Sequence, residues 1–136
     1  MKASPTARSL KHLRDQGFTA QVVERWIPGA NLRKDLFGGI DIVCVGGKDE
    51  IGPRFDTLGV QSTSDSNVSA RREKMLAIPE LRLWLECGNR LVIHGWAKKG
   101  PRGKPKRWAL REVEIHLSDF TKVEVSSPAA SAPSSS

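Results

Sequence analysis

The tightest constraint on this chain is one aspartate inside an apolar run. Residues 36–45 read LFGGIDIVCV, which sets Asp41 among β-branched residues of the kind a sheet buries on both faces. A second run, residues 57–64, reads TLGVQSTS and ends polar, with Gln61 and Thr63 two apart and so on one face of a strand. Burying an isolated carboxylate costs on the order of several kcal/mol unless a partner or a metal compensates. A fold for this chain must therefore bring compensating groups to Asp41, and a neighbouring strand is the simplest source.

The rest of the chain supplies the layers around these strands. Ser4 and Pro5 suit the N-cap and first position of a helix, in which Ala7, Leu10 and Leu13 share a face and Gly17 ends the run. Its outer face is basic, with Arg8, Lys11 and Arg14. Residues 18–27 read as a strand broken by PGAN, followed by strands at 40–45 and 58–63 joined through a charged turn. A helix is expected over 68–78, capped by Asp65, Ser66 or Asn67 and bounded by Pro79, with a second short helix over 80–86. Strands at 91–96 and 108–117 complete the order, and the alternation of the last changes phase near Glu112, which predicts a bulge. The order α-β-β-β-α(α)-β-β describes an α/β sandwich with a mixed sheet. At 136 residues the chain is expected to hold one domain, residues 1–125, followed by a disordered Ser/Pro/Ala-rich tail, residues 126–136.

Charge narrows the choice of partner. The net charge of +7 favours an anionic ligand, nucleic acid first. Residues 97–107, AKKGPRGKPKR, carry Lys98, Lys99, Arg102, Lys104, Lys106 and Arg107 without one acid. Such a loop tracks a phosphate backbone, with Arg33, Arg71 and Arg72 as further contacts, and gives affinity rather than base specificity. Trp96 and Trp108 flank it, either as cross-strand core residues or as platforms for a base. Two cysteines are too few for a disulfide framework or a zinc knuckle and fit a reducing cytoplasm. No apolar segment approaches the ~20 residues of a membrane span, and no secretory signal is expected. His12, His94 and His116 have no ligand spacing, no Ser/His/Asp or Cys/His set is recognisable, and neither Gly-Gly pair is a phosphate-cradling fingerprint.

A basic helix ending in Gly17-Phe18, the GGIDIV strand at 38–43, the VQST strand at 60–63 and the helix after it together resemble the PD-(D/E)XK nuclease superfamily. The resemblance covers roughly residues 6–92 and is to its small Holliday-junction-resolvase-like members and related phage-encoded nucleases. It implies a restriction-endonuclease-like mixed sheet flanked by helices, with an α-β-β-β-α-β core. It also implies a Mg²⁺- or Mn²⁺-dependent endonuclease acting on structured, branched DNA as a homodimer. Asp41 stands at the aspartate of "PD", with Ile40 replacing the proline; Gln61 stands at the acidic residue of "(D/E)XK" and Thr63 at its lysine. By resemblance, Asp41 and Gln61 hold the metal and Asp41, Gln61, Thr63 and Lys34 form the catalytic set. Lys34, Arg71 and Lys74 are the candidate sources of the positive charge that Thr63 lacks. Glu24 is the nearest acid to stand for the family's helix glutamate, and Asp35 either steadies its loop or serves as a second ligand. Two other readings stay open: a nuclease-fold protein that binds DNA without cutting it, and an interaction module of a phage or mobile-element complex. Asp41 itself has a structural alternative, capping the turn after Gly39.

Overall fold

A computed structural model of the protein describes residues 4–30, 32–48 and 51–121. Ser4 Oγ accepts from the Ala7 amide at 3.1 Å and Pro5 opens α1 (Pro5–Asp15). Then follow β1 (Phe18–Val22), β2 (Arg25–Ile27), β3 (Leu32–Lys34), β4 (Ile42–Gly46) and β5 (Thr57–Ser64). A single 3₁₀ turn (Asp65–Asn67) leads into α2 (Val68–Leu76), and Pro79 opens α3 (Pro79–Glu86). The chain closes with β6 (Arg90–Lys99), β7 (Arg107–Ile115) and α4 (Leu117–Thr121).

The main sheet has the order β1-β4-β5-β6-β7. Its ladders are antiparallel except β5–β6, which is parallel and therefore needs the crossover that α2 and α3 supply. The protein is thus α/β, with a mixed five-stranded sheet covered by helices on both faces. Strand alternation sorts two cores. Leu13 of α1 packs with Ala20, Ile42, Cys44, Leu58, Val60 and Val92 on one side. Val68, Met75 and Leu81 of α2 and α3 pack with Ile40, Leu91, Ile93, Ile115 and Phe120 on the other.

The strand expected over 18–27 divides. After β1 the Val23 amide still donates to the Asp41 carbonyl at 2.8 Å, then the chain leaves the sheet to form the separate β2–β3 hairpin. The bulge expected near Glu112 is absent, since the β6–β7 register runs unbroken from Leu91↔Ile115 to Lys99↔Arg107. Polar residues interrupt the alternation because both faces of edge strand β7 carry ion pairs: Arg111 with Asp65 at 2.7 Å, and Glu112 with His94 at 3.0 Å. The tail assigned to residues 126–136 lies outside the described residues. Among those described, no helix is long and apolar enough to cross a membrane.

Gly95 shows how closely the crossover sits on the sheet. A Cβ there would press into Val68 Cγ2 and lie 3.1 Å from the Asp65 Cα. Gly95→Ala is expected to destabilise the protein by about 1–3 kcal/mol. A lowered urea midpoint at constant slope is the expected reading; an unchanged midpoint would mean that α2 shifts freely.

Candidate active site

Asp41 is held by its backbone before its side chain does anything. Its amide donates to the Val60 carbonyl at 2.8 Å, which places it beside β5. The preceding turn doubles back, with Ile40 bridging Leu36, Phe37 at φ 54° and Gly38 at φ 79°. A non-glycine residue in the left-handed region costs about 1–2 kcal/mol, so this turn is bought at some expense to stability. Its result is that Asp35 and Asp41, six positions apart, bring their carboxyls into hydrogen-bond contact.

The Asp41 side chain is 4 % exposed, and its Oδ2 accepts from the Ser62 amide at 2.8 Å. Its pKa is pushed up to about 8, first by burial and then by the hydrogen bond with Asp35, while the Ser62 amide pulls the other way. The charges of Asp35 and Glu24 add to the rise. Two carboxyls pressed together in a buried place behave this way, because one favours its protonated form.

Gln61 is buried beneath this pair. Its Nε2 donates to the Gly39 carbonyl at 2.9 Å and to Asp35 Oδ2 at 3.3 Å, and its Oε1 accepts from Arg71 of α2. These three neighbours fix the amide orientation, since Arg71 only donates and the other two only accept. A cavity of about 460 Å³ opens above the pair. Its walls carry the carboxylates Glu24, Asp35 and Asp41, the cations Arg33, Arg71 and Lys74, and the residues Thr6, Ser62 and Thr63. Glu24 accepts from Thr6 Oγ1 at 3.3 Å and pairs with Arg33 at 3.1 Å.

Several expected residues thus converge: Asp41 and Thr63 line the cavity, with Gln61 directly below. Lys34 does not join them. It projects from β3 beside an adjoining groove lined by Val23, Arg25 and Phe37, and the cations on the cavity wall are Arg33, Arg71 and Lys74. Arg72 turns away to pair with Asp119 at 3.1 Å. Lys98, Lys99, Arg102, Lys104, Lys106 and Arg107 are exposed at and around the β6–β7 tip.

The donor set accommodates a hard divalent cation in a limited form. Among the described residues no group of three His, Cys, Asp or Glu side chains is placed to hold one. Asp35 and Asp41 are a pair, and Mg²⁺ is commonly held by one or two carboxylates with water completing its shell. The oxygen of Gln61, expected as a ligand, accepts from Arg71, and its NH₂ group donates to the Asp35 carboxylate.

A buried polar chain behind the site escaped sequence reasoning. Ser62 Oγ lies 2.8 Å from Ser9 Oγ, which lies 2.9 Å from His94 Nδ1; His94 Nε2 lies 3.0 Å from Glu112 Oε2. Trp96 Nε1 donates to the same Ser9 hydroxyl at 2.8 Å. Glu112 is held below the usual carboxylate range, chiefly by its bond to His94. With Glu112 ionised, His94 Nε2 carries the proton and Nδ1 accepts from Ser9, whose two lone pairs take Trp96 and Ser62. Ser9 resembles a nucleophile beside a base, but it is fully buried and every valence is in use, so the chain is an anchor. The available signal was that Val92, His94 and Trp96 alternate on one strand face, and that Ser9 falls on the Leu13 face of α1.

Family models, curated proteins and solved structures give no match to this chain.

Proposed function

We propose that the protein is a metal-dependent endonuclease of structured, branched DNA, acting at the Asp35–Asp41 cavity. The observation carrying this reading is that two carboxyls in contact face Arg71 and Lys74 across one cavity, an arrangement suited to a metal and a phosphodiester together. Asp35 and Asp41 would hold Mg²⁺ or Mn²⁺, which when bound supplies Lewis-acid activation of the phosphate and of water. Arg71 and Lys74 bind the non-bridging oxygens and stabilise the charge that grows on them. They take the place of the lysine absent at Thr63, whose hydroxyl adds a hydrogen bond. Ser62 and Gln61 keep the two carboxyls at their positions. The exposed β6–β7 cations hold the backbone of the flanking DNA. A four-way branch offers two equivalent strands, so this reading carries a homodimer with it.

The second reading, binding without cutting, draws on the engagement of the Gln61 oxygen by Arg71, which leaves two carboxylates for a metal. Labelled four-way junction, flap, single-stranded and duplex DNA, each with Mg²⁺, Mn²⁺ or EDTA, separate the two. Metal-dependent cutting is expected, lowered about a hundredfold in Lys74→Gln with DNA binding nearly unchanged. Salt-sensitive binding with no cutting in any metal would establish a binding platform instead.

A further inference from the structure

A second groove, of about 490 Å³, opens beside the carboxylate cavity. Arg8, Ser64, Lys98 and Trp108 form its walls, with Trp96 at its floor. Pro5 borders both spaces, and Thr63 of the cavity is followed directly by Ser64 of the groove. Whatever chain of phosphates enters one space thus has a short path into the other.

The two tryptophans that bracket the basic loop differ in kind. Trp96 is buried with its N–H committed to Ser9. Trp108 is 43 % exposed, an indole at the surface of an edge strand. The Arg8 guanidinium carbon lies 3.6 Å from its ring centroid and Lys98 Nζ lies 5.5 Å from it. Charge accounting points the same way. The groove's one carboxylate, Asp65, is taken by Arg111 at 2.7 Å, while among the described residues neither Arg8 nor Lys98 has an acidic partner. The groove therefore offers a stacked indole and guanidinium with two positive charges that no acid neutralises.

A nucleotide fits this combination, because bases stack on indole and guanidinium planes while the phosphate seeks the cations. A paired base inside a duplex has both faces covered and cannot use the platform. We propose that the groove receives one unpaired nucleotide of a single-stranded flank adjoining the cut phosphate, its base on Trp108 and Arg8 and its phosphate on Lys98. The proposal rests on the nuclease reading of the neighbouring cavity and names its substrate class: DNA with a single-stranded arm. From Lys98 the strand would continue to Lys99, Arg102 and the other cations of the tip.

Binding in EDTA tests this apart from cutting. Fluorescence anisotropy would compare labelled oligothymidylate with a blunt duplex of equal length, for the unmodified protein, Trp108→Ala, Trp108→Phe and Arg8→Gln. Trp108→Ala is expected to weaken single-strand binding about tenfold, Trp108→Phe to retain most of it, and duplex binding to stay unchanged. Arg8→Gln should repeat the selective loss in part, and matching thermal melts would confirm intact folding. Equal weakening of both ligands, or of neither, would overturn the groove assignment. Asp41-dependent cutting of duplex or junction DNA would survive that result. Selective single-strand binding in a protein that cuts nothing would keep the groove and remove the nuclease.

Discussion

On the nuclease reading, Asp41→Asn is expected to abolish cutting and, at pH 8, to make the protein more stable than its parent. The loss of activity should exceed about a hundredfold, since even groups that merely orient a metal ligand cost 10–100-fold when removed. The gain in stability follows from the carboxyl's displaced titration. Its ordinary value is 3.8 and its folded value about 8. Between these the folded protein keeps a proton that the unfolded chain has released, so stability falls as pH rises through the window. The cost is absent below pH 3.8 and complete above about pH 8. Asparagine has no proton to lose, and its carbonyl can still accept from Ser62 while its NH₂ group donates to Asp35. Each tenfold change in proton affinity is worth about 1.4 kcal/mol, so the variant should gain on the order of 2 kcal/mol or more at pH 8. The difference should close toward pH 4. His12 and Glu112, both lowered, give the opposite slope on acidification, but they are common to both proteins and cancel in the comparison. Thermal melts from pH 4 to 9 read this directly; a variant less stable at pH 8, or one that still cuts, would sink the assignment of Asp41.

Ser9→Ala should be the most damaging single-atom deletion in the protein. One hydroxyl satisfies Trp96 Nε1, His94 Nδ1 and Ser62 Oγ, and all three partners are buried. Each buried group left without a partner costs about 1–3 kcal/mol, and partial repair among three neighbours leaves an expected loss of about 3 kcal/mol. For comparison, Ser4→Ala, which removes the α1 cap, should cost about 1 kcal/mol. Denaturant midpoints give both values. A Ser9→Ala loss below that of Ser4→Ala would show that the network is dispensable. On the nuclease reading the same variant should weaken cutting, because Ser62 anchors α1 through its side chain and Asp41 through its amide.

The sheet was readable because its strands are β-branched runs bounded by glycine and charge, and the element order described a mixed sheet; which pair runs parallel, β5 with β6, is known from the pairing. Asp41 was readable because it interrupts such a run. Asp35 was harder, since its approach to Asp41 depends on the left-handed conformation at Phe37 and not on spacing. Arg71 and Lys74 were named beside Lys34 with no means of choosing, as the choice is made by how α2 lies on the sheet. Lys34 fell outside the cavity because side chains alternate along β3, which sets Arg33 on the cavity wall and Lys34 on the adjoining groove. The Ser9–His94 contact joins residues 85 positions apart, and no local pattern encodes a pairing at that distance.

That separation has a consequence for how the protein is made. Every residue on the cavity wall precedes position 75, yet the groups that secure Ser9 come from positions 94, 96 and 112. At a synthesis rate of about 5–20 residues per second, the remaining segment takes a few seconds to emerge. During that interval the nascent chain carries every charge of the cavity wall, but β5 lacks its β6 neighbour and Ser9 has only Ser62 of its three partners. The cavity therefore takes its final form with the last strands, and a chain released early would carry the charges without the strands that hold them in place.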